Sequence, residues 1–133
     1  MIIKSFELNK IDIQKYNYFL LYGENQGHKN EIIDKKFKKF YSENIYNYEE
    51  SEILSNVDSF FNSVLSKSFF EDKKLVIISR ATDKINYLIE EIIEKNIQDI
   101  VFVLNANTLE KKSKLRSFFE KNKKTTCIPF YED

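Results

Sequence analysis

Leu75-Val76-Ile77-Ile78 and Ile100-Val101-Phe102-Val103-Leu104 are apolar at every position, with no alternate residue left for solvent. A strand of that kind must be covered on both faces, as in a parallel sheet held between two layers of helices. Tyr18 to Tyr22, closed by Gly23, reads the same way, and Thr125 to Phe130 makes a last strand. Asn44 to Tyr48 is a further, weaker candidate.

Helical stripes fill the intervals. Residues 25–42 place Ile32, Ile33, Phe37, Phe40 and Tyr41 on one face. Ser51 offers a cap for a helix whose stripe is Ile53, Leu54, Val57, Phe60, Phe61, Val64 and Leu65. Asp83 opens a third helix, with Ile85, Leu88, Ile89, Ile92 and Ile93 inward, and Thr108 caps a fourth running through Leu115, Phe118 and Phe119. Strands alternating with helices predict one α/β domain over residues 1–133, three layers deep, around a mostly parallel five-stranded sheet. No repeat, linker or low-complexity tract divides it.

The 21 basic and 21 acidic residues balance, so no net field favours nucleic acid or an anionic membrane. The clusters Lys35, Lys36, Lys38, Lys39 and Lys121, Lys123, Lys124 read first as solvated helix faces, with DNA contact as the alternative. Cys127 is the only cysteine, which rules out an internal disulfide and suits a reducing, cytoplasmic setting. One His and one Cys cannot make a His/Cys metal site, and no apolar run is long enough to span a membrane.

Ligands of open α/β sheets bind at the carboxyl ends of the strands. The loop after the first strand, Gly23-Glu24-Asn25-Gln26-Gly27-His28-Lys29-Asn30, holds the only two glycines in the chain. A phosphate-binding loop, G-x-x-x-x-G-K-[ST], uses glycines to wrap amides around phosphate, Lys for charge and a hydroxyl for magnesium. Here the loop is one residue short, Lys29 is displaced by His28, and Asn30 stands at the hydroxyl position. Strands that end in Ser79-Arg80 and Asn105-Ala106-Asn107 supply no carboxylate for magnesium. The loop keeps the shape of a nucleotide site without its chemistry, and no cofactor is expected.

Ser68-Phe69-Phe70-Glu71 sits between the second helix and a core strand. If that helix continued, Phe69 would fall at the margin of its stripe and Phe70 roughly 150° from the centre. Either the rings tuck under the helix end, or they stay exposed and await a partner that recovers about 1.5–3 kcal/mol for each.

The element order, the decayed loop after Phe19-Leu20-Leu21-Tyr22-Gly23, and Ser68-Phe69-Phe70 leading into Leu75-Val76-Ile77-Ile78 resemble one family. It is the delta subunit of the bacterial DNA polymerase III clamp loader, in its N-terminal domain. Residues 104–115 are similar to the segment after its fourth core strand. The resemblance implies a RecA-like, AAA+-type fold without a functional P-loop and without ATPase activity of its own. As part of the polymerase III holoenzyme, the subunit would be associated with DNA-directed DNA synthesis.

The same resemblance implies a role in replication. A delta subunit binds the ring-shaped sliding clamp (the beta subunit) and holds one interface open, so that the ring can be loaded onto primed DNA. Ser68, Phe69, Phe70 and Glu71 are then the clamp-binding element, with Phe69 where Leu is commoner. Gly23, Gly27, Lys29 and Asn30 are the degenerate nucleotide loop. Implied partners are the clamp, the tau/gamma and delta-prime subunits, and DNA indirectly. Family members continue into helical domains beyond the position of Asp133, so this chain is expected to carry the clamp-binding part alone.

Overall fold

The computed structural model describes residues 1–10, 12–41, 44–64, 73–97 and 99–131. Five strands form one sheet: β1 Tyr18–Gly23, β2 Ile45–Glu49, β3 Lys74–Ser79, β4 Ile100–Asn105 and β5 Thr125–Phe130. Every pairing is parallel, in the order β2-β3-β4-β1-β5. Helices α1 Gln26–Ile32, α2 Glu50–Ser55, α3 Val57–Val64, α4 Asn86–Glu94 and α5 Lys114–Lys121 make the crossovers.

The strand order decides which helix covers which face. Only the β1-to-β2 crossover travels toward the β2 edge; the other three travel the opposite way. Because parallel crossovers are right-handed, opposite directions must use opposite faces. Accordingly Ile53, Phe60, Leu88, Ile92, Leu115 and Phe119 pack one face, against Leu20, Val76, Ile78, Phe102 and Leu104. Ile33, Phe37 and Tyr41 pack the other, against Phe19, Leu21, Leu75, Ile77 and Val103. The period of two along each strand splits its apolar run between the two cores, as the sequence requires.

Several boundaries differ from the sequence expectation. The second helix is two: the chain breaks at Asn56, whose side chain accepts from Ser59 N at 3.1 Å. Its cap is Glu49, paired with Glu52 in a capping box, and not Ser51. The last helix starts behind Ser113, not Thr108. Asp83 lies in a 3-10 turn, Asp83–Ile85, capped by Thr82. The helix after β1 is α-helical only to Ile32, then continues through a π turn, Ile33–Phe37, and a 3-10 turn, Lys38–Phe40. The first residues edge the sheet, which no local pattern in them signals. Ile3 N donates to Cys127 O at 2.9 Å and Cys127 N to Met1 O at 2.8 Å, screening the outer side of β5.

Candidate functional site

At the carboxyl edge, β1 and β4 are neighbours whose following loops leave toward opposite faces, which opens a crevice between them. That crevice is filled from inside. Lys29 is fully buried, and its Nζ donates to Ala106 O at 2.6 Å. Burial pushes its pKa below the usual lysine value, because the charged form loses water. Gly23 N donates to Asn107 O at 3.1 Å and Ala106 N to Leu21 O at 2.8 Å, sewing the loop after β4 onto β1.

The glycines have separate reasons. Gly23 has φ +123°, and a Cβ there would sit 1.9 Å from Phe130 O, so close approach to β5 demands it. At Gly27 a Cβ would meet only Asn25 Oδ1 at 3.9 Å. Asn25 caps α1 by accepting from His28 N at 3.1 Å, and the His28 ring stands edge-on to Phe130 at 4.9 Å. Asn30 is exposed and accepts from Gln26 Nε2 at 3.0 Å. Thus Gly23 and Lys29 turn inward, whereas Gly27 and Asn30 remain on the surface of α1. No group of His, Cys, Asp and Glu suited to a metal ion occurs among the described residues.

Two carboxylates near this edge, Glu50 and Asp83, are engaged in structure. Glu50 is buried and takes both Thr82 N and Thr82 Oγ1 at 2.8 Å, tying α2 to the turn after β3. Asp83 accepts from Ser113 Oγ at 2.5 Å and Leu115 N at 3.1 Å, so it ties down the start of α5. The Ser113 hydroxyl, foremost, holds its carboxyl below the usual range. Sequence reasoning missed both roles, since neither acid has a local partner that spacing could reveal.

At the amino edge, α3 ends at Val64, which is fully buried, and β3 begins at Lys74. The two are locked together: Lys74, itself buried, donates from Nζ to Val64 O at 3.2 Å and lies 5.6 Å from the Tyr46 ring centre. A cation on the last carbonyls of a helix satisfies acceptors that would otherwise be orphaned. Phe60 anchors the same helix, edge-to-face with Tyr48 at 5.2 Å. Ser68, Phe69, Phe70 and Glu71 fall within residues 65–72, outside the described residues, so only their flanks are seen.

The sequence model of the family "DNA polymerase III, delta subunit" matches residues 19–129. The chain belongs to that family. The clamp-loader delta fold extends to solved structures: the Bacillus subtilis DNA clamp loader delta protein superposes with a TM-score of 0.64 at 19% identity. The match covers 96% of this chain and 41% of that one, so this chain spans less than half of that protein's length. No curated protein sequence matches.

Lysines of the first cluster are exposed or half-buried on the helical segment after β1. Lys35 pairs with Glu31 at 3.0 Å and Lys38 with Asp34 at 3.2 Å, while Lys36 hydrogen-bonds Asn9. No helix among the described residues is long and apolar enough to cross a membrane.

Proposed function

We propose that residues 1–133 form the clamp-binding domain of a clamp-loader delta subunit, acting in the cytoplasm without hydrolysing ATP. Phe69 and Phe70 enter an apolar pocket on the sliding clamp, with Ser68 and Glu71 at the rim. Opening the ring needs only that the bound clamp conformation be the one with a sprung interface, since a binder shifts an equilibrium by its difference in affinity. Sister subunits, tau/gamma and delta-prime, supply the nucleotide chemistry, and DNA is engaged through the clamp.

The observation that carries this reading is the family match, which runs through residues 68–71. The Lys74–Val64 lock supports it, because it fixes both flanks of the element and lowers the ordering cost of presenting two rings. The nucleotide-binding alternative is disfavoured by Lys29, whose amine would have to leave Ala106 O to reach a phosphate. DNA contact through the first lysine cluster is disfavoured by its pairing with Glu31 and Asp34.

Calorimetry of this chain with its cognate clamp, beside Phe69→Ala/Phe70→Ala, tests the reading. Losing an anchor costs about 2 kcal/mol or more, close to a thirtyfold drop in affinity, while the melting temperature of the variant stays near that of the wild type. Equal binding by both proteins refutes the anchor. A variant that unfolds instead assigns the rings to the core, where each Phe→Ala change costs about 3–5 kcal/mol.

A further inference from the structure

The amino edge carries a cleft of about 340 Å³, bounded by Lys15, Lys123 and Lys124, with Asn17, Asn96 and Tyr18 among its walls. In a chain with 21 charges of each sign, no acidic residue among the described ones lines it. None of the three lysines, all exposed, forms an ion pair among the described residues. Tyr18 is only 4% exposed and stacks on Phe102 at 5.6 Å, yet its hydroxyl has no hydrogen-bond partner among the described residues. The carboxyl end of α4 borders the cleft and brings about half a negative charge, which the three lysines outweigh. A hydroxyl that opens on the cleft without a partner among the described residues, two amides and three cations without an ion pair among them surround one cavity that suits an oxyanion.

Position selects the source of that oxyanion. Tyr18 pairs with Phe102 of β4 and with Thr125 of β5, while Lys74 pairs with Ile100 of β4. The cleft and the Val64–Lys74 lock therefore share the amino edge, separated by two strand spacings, about 10 Å. They also share a face, since α3 and α4 cover the same side of the sheet. A partner that contacts the chain beside the Val64–Lys74 lock would therefore come within about two strand spacings of the cleft. Of the two tyrosines in the cleft wall, Tyr18 is stacked on Phe102 and Tyr16 packs edge-on with Phe19 at 6.3 Å, so little ring face is left for the base stacking that single-stranded nucleic acid uses.

We propose that this cleft receives an acidic segment of the sliding clamp, two or more carboxylates in a row, as a second contact beside the phenylalanine anchor. The inference rests on the clamp-binding reading above. A surface charge cluster of this sort acts mainly on the association rate and in a salt-dependent way, whereas a buried apolar anchor acts on dissociation.

Association kinetics of the chain with its cognate clamp, at about 0.1 M and about 1 M salt, separate the two contacts, because screening shortens from about 10 Å to about 3 Å. Lys123→Glu/Lys124→Glu is expected to slow association about tenfold at the lower salt and hardly at all at the higher. Lys15→Glu, on a separate element, should act in the same direction and carries the test if the double variant fails to fold. Phe69→Ala/Phe70→Ala should speed dissociation at both salts. Unchanged association in both lysine variants, with the wild type binding, overturns the cleft and spares the anchor. Absence of wild-type binding overturns both. Inorganic phosphate or a labelled single-stranded oligonucleotide that binds the wild type and not the lysine variants, with clamp association unaltered, also overturns the proposal and makes the cleft a phosphate site.

Discussion

Gly23→Ala puts a methyl group 1.9 Å from Phe130 O, at a backbone φ of +123°. That separation is about 1.5 Å short of ordinary contact. The obstacle is a main-chain carbonyl of β5, held along the whole β1 register from Tyr18–Thr125 to Gly23–Phe130, so no side chain can swing aside. The unfavourable backbone costs about 1–3 kcal/mol, and forcing the strands apart adds about 1–3 kcal/mol more. For a domain of this length each kcal/mol lowers the melting temperature by about 4 °C. A fall of about 8–24 °C is therefore expected in thermal melts, with a matching drop in the urea midpoint. Gly27→Ala is the internal control. Its Cβ makes only an ordinary contact, with Asn25 Oδ1 at 3.9 Å, on an exposed helix position, so it should be neutral or stabilising by up to about 1 kcal/mol. A phosphate-wrapping loop would need both glycines for its ligand and neither for stability. A fall of less than about 4 °C for Gly23→Ala, or destabilisation by Gly27→Ala equal to it, would refute the packing argument.

Asp83→Ala removes the acceptor for Ser113 Oγ and Leu115 N and should cost about 1–2 kcal/mol in urea unfolding at neutral pH. Because the folded Asp83 titrates below its ordinary value of 3.8, its contribution is present above that pH and is lost as pH falls through the depressed value. The gap between wild type and variant should close in acid, and a gap constant down to about pH 2 would contradict the assignment. Burial pushes the Cys127 thiol up to about 12, so native protein at about pH 8 should resist iodoacetamide and become labelled only in denaturant. Labelling of native and denatured protein at equal rates, followed by mass, would show that the thiol is open.

The strands were legible because doubly buried β-segments must be apolar at every position, and Leu75 to Ile78 and Ile100 to Leu104 have no other reading. Helix ends were less so. Ser51 and Thr108 are good caps by type, but Glu49 with Glu52 and Ser113 with Asp83 form the actual ends. A capping box between two acids, and a cap whose hydroxyl donates to a carboxylate 30 residues away, have no local signal strong enough to outweigh a lone Ser or Thr. The break at Asn56 hides inside a continuous apolar stripe, since a change of axis keeps the same side chains facing the core.

In the loop after β1, sequence showed which parts of a phosphate-binding loop are missing: the hydroxyl, the magnesium carboxylate and the spacing. It could not show where Lys29 went, because only the β1–β4 adjacency brings Ala106 O beneath α1. The same holds for the cleft, whose lysines come from positions 15, 123 and 124 and whose hydroxyl comes from Tyr18. Hydrophobic periodicity is a local property, so one chain read alone determines its strands, its helices and the layered class they must form. Strand order and crossover hand act between distant segments, and they alone decided which cation is buried, which glycine is indispensable and which lysines meet at one edge.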